Sequence, residues 1–330
     1  MASMRQLLTI LTLLATLPLS ACDDSAHAQV SGLRQAQRNA TFAGATKRIT
    51  VATFVGILDD VSVAPVGAWS VAVRLDTDYT GNLIRVRRAS DNAELNIGYG
   101  ADNYLNTSAL TTHCTGTDCF ITTVYEQSGN ARDLTQTTAS EQPKIYDAAT
   151  GVYTCGTAAK PCWRGDADSN LTRSDTLGLT GSPNVHIWTS VGETWTTGVA
   201  FALGFTGGER LAMESAPDEN VSFTTTAGYR QYDATTSGTG WHYYGLRWTA
   251  GGDVTTATVE QDGTALTHYF ASNDTDTINF SNNGTCWGAT SFGGGEFAQS
   301  SGEHQTLIVF GQHLTGTDLT NIRNGLAALN

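Results

Sequence analysis

The sequence predicts an all-β fold, a two-sheet β-sandwich of jelly-roll type that ends in one short helix. Apolar residues recur with a period of two in several short segments bounded by Gly, Asn, Asp or Ser, which is typical of half-buried strands. A convincing helical period occurs only near the C-terminus. Of the 330 residues, 40% are hydrophobic and 15% are charged, a composition that supports a sizeable core and excludes a disordered chain. The length suits one large sandwich.

Each predicted element follows from a local pattern. Asp262-Gly263, in the segment from Ala257 to His268, can adopt the positive φ angles of a type I′ turn and predicts a hairpin. Thr315 can cap the final helix, whose apolar residues share one face. The helix residues on that face are Leu319, Ile322, Leu326 and Leu329. The alternating segments that predict strands are Ser70–Leu75, Leu83–Val86, Phe120–Tyr125, Gly198–Phe205, Tyr243–Trp248 and Thr306–Phe310.

The N-terminal residues predict export. Arg5 supplies a short positive region, and the apolar run Leu7–Leu19 is too short to cross a bilayer comfortably. The run ends at Leu19-Ser-Ala-Cys22, which resembles the bacterial lipoprotein signal and implies cleavage before Cys22 and lipidation of its thiol. The alternative is an ordinary secretory peptide that is cut after Ala28. Both alternatives predict a periplasmic, cell-surface or secreted protein.

These features divide the chain into three predicted segments, a signal peptide over 1–21, a tether over 22–50 and a folded domain over 51–330. The chain has 31 acidic and 18 basic residues, a net charge of −13, and a pI near 4.8. A nucleic-acid partner is therefore disfavoured, since phosphate binding needs clustered basic residues. An anionic membrane surface is disfavoured for the same reason, which leaves contact with a membrane only through a lipid anchor. No pattern specifies an oligomeric state.

Cysteine spacing predicts two disulfides. Of the six cysteines, Cys22 belongs to the predicted signal. Four others fall in two close pairs, Cys114 with Cys119 and Cys155 with Cys162. Gly or Pro inside each loop permits the tight turn that a disulfide needs, and an exported protein meets an oxidising environment. A zinc site is the alternative, although neither pair has the usual spacing of zinc ligands. The remaining residue, Cys286, lies in a strand-like segment and is predicted to be a buried thiol.

Several motifs occur in the order found in one family of carbohydrate enzymes. They are Tyr79–Asn92, the clip Cys114–Cys119, the loop Val124–Asn130 and the segment Asp133–Gln136. Together they resemble the catalytic domain of the fungal α-L-arabinofuranosidase B family, glycoside hydrolase family 54. The resemblance implies a concanavalin A-like jelly-roll sandwich that acts on terminal arabinofuranose. Arabinose-containing polysaccharide, or a related glycan, is therefore the expected partner.

The resemblance also implies site residues. Glu214, in Leu211-Ala-Met-Glu214, is the nearest match to the nucleophile of the family, and Glu296, after Gly294-Gly295, is the nearest match to its acid/base. A retaining glycosidase needs one carboxylate to attack the anomeric carbon and a second, protonated carboxyl group about 5 to 5.5 Å away to protonate the leaving oxygen. Tyr125, Glu126 and Gln127 match a loop of the family and are expected to bind substrate.

Two alternatives remain open at the level of the sequence. The family has adjacent cysteines beneath the sugar, and this chain has none. This chain also resembles bacterial and phage surface proteins with laminin-G-like domains, which favours a non-catalytic carbohydrate-binding or adhesion protein. No cofactor is predicted for hydrolysis. Asp166, Asp168 and Asn170 resemble the opening of a calcium loop, but the Gly and Glu of an EF-hand are missing, so structural calcium of another type is the alternative to no metal.

Overall fold

The structure is a computed structural model, which describes residues 54–165, 169–192, 198–204, 211–216, 220–224, 229–233, 240–272, 277–280, 284–288 and 302–330. The predicted signal peptide and tether lie outside these residues. The described residues belong to one compact unit, Phe54–Asn330. Within them, no helix is both long enough and apolar enough to cross a bilayer.

Short strands make up most of the described chain, together with two α-helices. The helices are α1, Thr107–Cys114, and α2, Gly316–Ala327, and single 3₁₀ turns lie at Ala139–Glu141 and Val254–Thr256. The first eleven strands are β1 Gly67–Ser70, β2 Ile84–Arg88, β3 Glu94–Ile97, β4 Cys119–Val124, β5 Leu134–Thr135, β6 Lys144–Asp147, β7 Gly151–Val152, β8 Thr154–Cys155, β9 Lys160–Pro161, β10 Trp163–Arg164 and β11 Asn170–Arg173. The others are β12 Val185–Val191, β13 Gly198–Leu203, β14 Leu211–Ala216, β15 Asn220–Thr224, β16 Tyr229–Asp233, β17 His242–Trp248, β18 Thr258–Gln261, β19 Thr264–Ala265, β20 Thr267–Ser272, β21 Thr285–Gly288 and β22 Glu303–Phe310.

Antiparallel pairing arranges these strands in two branches, which we name the first and the second sheet. The first sheet has the order β1-β22-β12-β17-β18-β19. The second sheet has the order β3-β2-β4-β5-β11-β21-β13-β14-β15-β16-β20. Strands β6 and β10 connect them, because β6 pairs with β4 and β10 pairs with both β6 and β22.

One hydrophobic core lies between the two sheets. Both sheets contribute large, fully buried side chains to the same cluster, which is the arrangement of a β-sandwich. The predicted all-β sandwich is therefore confirmed. Representative core residues are Trp69, Ile187, Leu246 and Leu307 from the first sheet and Val86, Ile121, Leu171, Phe201 and Trp287 from the second.

Helix α2 covers the outer face of the first sheet. Along β22, Leu307 and Val309 contact the core between the sheets, whereas Ile308 and Phe310 belong to a second cluster with the apolar face of the helix. The helix residues in that cluster are Leu319, Ile322 and Leu326, and Leu329, which follows the helix, joins them. Because both faces of the first sheet pack against protein, seven of the eight residues of β22 are buried. The predicted C-terminal helix is confirmed.

Local signals placed most of the other predicted elements correctly. In the hairpin of β18 and β19, Gln261 pairs with Thr264, and the intervening Asp262 and Gly263 have φ of 50° and 78°, as the type I′ prediction requires. Five predicted strands overlap β2, β4, β13, β17 and β22.

One predicted strand, Ser70–Leu75, is wrong. The strand ends at Ser70, whose Oγ accepts hydrogen bonds from the backbone N–H groups of Ala72 at 3.1 Å and Val73 at 3.3 Å. This side-chain turn replaces the ladder that would have continued the strand. The alternating apolar residues that suggested a strand are nevertheless buried, because Val71, Val73 and Leu75 pack in the two clusters as irregular chain.

Candidate functional site

The structure places one of the two predicted catalytic residues on the second sheet. Glu214 lies on β14, where its backbone is paired with Val199 of β13 and Ser222 of β15. Strands on both sides hold this position, which makes it a rigid one. Glu296 lies outside the described residues, so the pairing of the two carboxylates stays a prediction.

Described residues of β14 contact opposite sides of the second sheet. Leu211 and Met213 contact the core between the sheets, so the two-residue period of the strand places Ala212 on the outer face. Ala212 forms a small cluster there with Val199, Ala202 and Cys286, each no more than 1% exposed. Val199, which pairs with Glu214, therefore lies in a buried apolar cluster.

The predicted substrate-binding loop contains a buried carboxylate that braces it. Glu126 is 4% exposed, and its Oε1 accepts hydrogen bonds from the backbone N–H of Ala68 at 3.1 Å and of Ser128 at 2.8 Å. The Ser128 hydroxyl also donates to Oε1, and the backbone N–H of Asn130 donates to Oε2 at 2.8 Å. Four donors thus converge on one side chain and connect the loop to β1.

The next residue, Gln127, is also buried and also holds the chain around it by hydrogen bonds. Gln127 is 1% exposed; its Oε1 accepts from the backbone N–H of Leu75 at 2.8 Å, and its Nε2 donates to the carbonyl of Ser70 at 3.0 Å. The amide therefore holds the irregular chain that follows β1. These contacts explain the buried positions of Glu126 and Gln127, and their contact with substrate stays a prediction.

Tyr125 is the most accessible of the three loop residues. It is half-buried, and its hydroxyl donates to Oδ1 of Asn96 on β3 at 2.8 Å. Partial burial raises the pKa of the Tyr125 hydroxyl, so this group stays protonated and can act as a donor at neutral pH.

Both predicted disulfides are present. Cys114 at the end of α1 is bonded to Cys119 at the start of β4, and Cys155 is bonded to Cys162 across the β8–β9 hairpin. Their sulfurs are bonded to each other, which favours the disulfides over the zinc alternative. Cys286 is buried and belongs to neither bond, as predicted. The acidic residues of the predicted calcium alternative, Asp166 and Asp168, lie outside the described residues.

Comparison with known proteins confirms the resemblance to arabinofuranosidase catalytic domains. Residues 57–160 match the family described as alpha-L-arabinofuranosidase B, catalytic. The probable alpha-L-arabinofuranosidase B of Aspergillus terreus is 43% identical over 72 residues, which are 22% of this chain and 14% of that protein. The alpha-L-arabinofuranosidase of Hypocrea jecorina is 41% identical over 71 residues, with the same shares of 22% and 14%. These alignments thus span a small part of the relatives, and the family match over residues 57–160 contains neither Glu214 nor Glu296.

Solved structures extend the likeness over most of the chain. An arabinofuranosidase complexed with arabinofuranosyl-alpha-1,2-xylobiose superposes with a TM-score of 0.61 at 16% identity, over 83% of this chain and 64% of that one. A mutant GH54 arabinofuranosidase soaked with 4-nitrophenyl α-L-arabinofuranoside gives a TM-score of 0.61 at 15% identity, over 82% and 64% of the two chains. At these identities the superpositions show a shared fold.

Proposed function

We propose that this chain is a glycoside hydrolase of the α-L-arabinofuranosidase type that acts on arabinose-containing polysaccharide. The observation that carries the proposal is the match of residues 57–160 to the catalytic domain of that family. The shared fold supports it, because the superposition covers 83% of this chain, more than the matched segment spans.

In the proposed mechanism, Glu214 attacks the anomeric carbon and Glu296 protonates the leaving oxygen, so that the configuration is retained after two displacements. Position 214 suits a nucleophile because paired strands on both sides hold its backbone. Glu296 follows three glycines, Gly293 to Gly295, whose lack of side chains would allow a close approach of the backbone to a sugar.

The proposal predicts that the purified protein releases 4-nitrophenol from 4-nitrophenyl α-L-arabinofuranoside. The matched control substrate is 4-nitrophenyl β-D-xylopyranoside, which has the same leaving group on a six-membered ring. Continuous absorbance of 4-nitrophenolate measures both reactions. No release from the arabinofuranoside, together with retained binding to arabinan, would contradict hydrolysis and would favour the carbohydrate-binding protein of laminin-G type.

We also propose that the protein is exported and attached to a membrane through a lipid on Cys22, because Leu19-Ser-Ala-Cys22 has the pattern of a lipoprotein signal. In a Gram-negative host, Cys22→Ser is expected to eliminate incorporation of radiolabelled palmitate and to reduce the share of the protein that sediments with membranes. Cys286→Ser is the matched control, since its thiol is buried in the folded domain. A wild-type protein that incorporates no palmitate would instead favour cleavage after Ala28.

A further inference from the structure

Strand pairing aligns five polar side chains in one row across the second sheet. Asn96 of β3 pairs with Arg85 of β2, which pairs on its other side with Thr123 of β4. Thr123 also pairs with Thr135 of β5, which pairs with Thr172 of β11. We call these five residues the polar row. A chain neighbour of each contacts the core between the sheets, so the two-residue period places the row on the outer face. These neighbours are Ile97, Ile84, Val124, Leu134 and Leu171.

The polar row is open to solvent. Asn96, Arg85 and Thr135 are exposed, and Thr123 and Thr172 are partly exposed. Because the row crosses the strands from β3 to β11, its two ends are separated by four strand spacings, about 19 Å. A surface of this length can contact several units of an extended sugar chain at once.

An aromatic ring lies beside one end of the row. Tyr125 directly follows β4, and its hydroxyl donates to Oδ1 of Asn96 on β3 at 2.8 Å. Strand β2 lies between β4 and β3, so the ring must extend sideways across β2 to span a backbone separation of about 10 Å. The ring is therefore laid along the sheet. Because the side chain is only half-buried, the side of the ring that faces away from β2 is accessible, and the apolar face of a sugar can stack on it.

The chemistry of the row fits an uncharged sugar. Threonine hydroxyls and the Asn96 amide can both donate and accept hydrogen bonds, as sugar hydroxyls do. The charge of Arg85 is balanced by Glu94, with 2.6 Å between Nη2 and Oε2. The row therefore has no excess of positive charge that would favour an anionic polymer, and the net charge of −13 for the whole chain disfavours one further.

A glycan fits this surface better than a protein does. Protein interfaces are centred on large apolar and aromatic side chains, whereas small hydroxyl groups make up most of the polar row. Among the residues that the structure describes, the exposed large hydrophobic side chains are Val55 and Leu95. Val55 precedes the first strand, and Leu95 alternates with Asn96 and so lies on the opposite face of β3.

We propose that the polar row and Tyr125 form an accessory glycan site, which binds an extended, uncharged stretch of the polysaccharide beyond the sugar that is cleaved. One sugar ring stacks on Tyr125, and the following units cross the strands and form hydrogen bonds with the threonine hydroxyls. None of the strands that carry the row pairs with β14. The inference rests on the proposed function for the identity of the glycan, an arabinose-containing polysaccharide.

The test measures binding to soluble arabinan by affinity electrophoresis in the cold, in native gels with and without the polysaccharide. Tyr125→Ala removes the ring, and Thr135→Glu places a longer, charged side chain in the polar row. Each is expected to raise the Kd for arabinan about three- to tenfold, the effect of one lost stacking contact or hydrogen bond. Thr264→Glu is the matched control, because Thr264 is an exposed threonine on β19 of the first sheet, and it should keep the wild-type Kd.

Further measurements separate lost binding from lost folding. Thermal unfolding checks every variant, and Thr135→Glu changes an exposed side chain, so it is expected to fold. Tyr125→Phe keeps the ring and loses only the hydrogen bond to Asn96. It should therefore bind arabinan with a Kd within about threefold of the wild type.

The outcomes distinguish this inference from the proposed function. A wild-type Kd in both Tyr125→Ala and Thr135→Glu would overturn the accessory site, as would a wild type that arabinan does not retard. In either case, release of 4-nitrophenol from the small arabinofuranoside by the same preparation would leave the proposed function standing. A wild type that binds arabinan through Tyr125 and Thr135 but releases no 4-nitrophenol would overturn hydrolysis and support the accessory site.

Discussion

Replacing Glu214 with glutamine is expected to lower kcat for 4-nitrophenyl α-L-arabinofuranoside by about a thousandfold or more, the usual consequence of removing a nucleophile. Glutamine has nearly the same shape as glutamate, but its neutral amide does not attack the anomeric carbon. Position 214 is held by β13 and β15 on either side, so the variant is expected to fold. Absorbance assays measure kcat, and a thermal melt of the same preparation checks that the variant is folded.

Two further variants identify the role of Glu214 and exclude a general effect of charge. Glu94→Gln is the matched control, because Glu94 is an exposed glutamate on β3 that pairs with Arg85 at 2.6 Å, and it should keep wild-type activity. Glu296→Gln should impair hydrolysis of arabinan more than that of the 4-nitrophenyl substrate, since 4-nitrophenolate leaves without protonation. Wild-type kcat in Glu214→Gln would contradict the assignment of this residue.

The sequence predicts elements well where the signal is local. Asp262-Gly263 specifies the β18–β19 turn through its own backbone preferences, and the apolar period after Thr315 specifies the face that α2 packs on the first sheet. The disulfides are similarly local, since each closes a loop of a few residues. In these cases neighbours in the chain determine the structure, so no knowledge of the pairing partner is needed.

Prediction failed where tertiary contacts replaced a local preference. Helix α1 was missed because its sequence, Thr-Ser-Ala-Leu-Thr-Thr-His-Cys, contains three threonines, which have low helix propensity. The available signal was Asn106, whose Oδ1 caps the helix by accepting from the backbone N–H of Ala109 at 3.0 Å. Burial of Leu110 and Cys114 and the disulfide to Cys119 stabilise the helix in its final position.

The candidate site shows the same limit. The motif around Glu214 predicts a catalytic residue from the resemblance alone, and the strands that flank position 214 are visible only in the structure. Asn170, which the sequence offered as part of a calcium loop, pairs with Gly288 through the register of β11 with β21, strands that lie far apart in the chain. Such a register is set by the packing of whole sheets, and a linear pattern does not contain it.

Removing the Glu126 carboxylate, in the loop that the sequence predicts to bind substrate, is expected to lower the stability of the protein strongly. Glu126→Ala removes the acceptor of four donors, and three of these are backbone N–H groups, of Ala68, Ser128 and Asn130, that the folded chain leaves little room to rehydrate. Each orphaned buried donor costs about 1 to 3 kcal/mol. The free energy of unfolding should therefore fall by about 4 kcal/mol, and the melting temperature by about 10 °C.

A graded series tests the cause of this loss. Glu126→Gln can keep its one oxygen for the three donors to Oε1. Its NH₂ group then faces the backbone N–H of Asn130, which loses its acceptor, so the free energy of unfolding should fall by about 1 to 2 kcal/mol. Glu94→Ala, at the exposed edge of the second sheet, should change stability by less than about 0.5 kcal/mol. Urea unfolding at pH 7 measures the three variants beside the wild type. A Glu126→Gln variant with full stability but no hydrolysis of the arabinofuranoside would contradict the bracing role. The carboxylate would then act on substrate, because only a contact with the sugar would distinguish the acid from its amide.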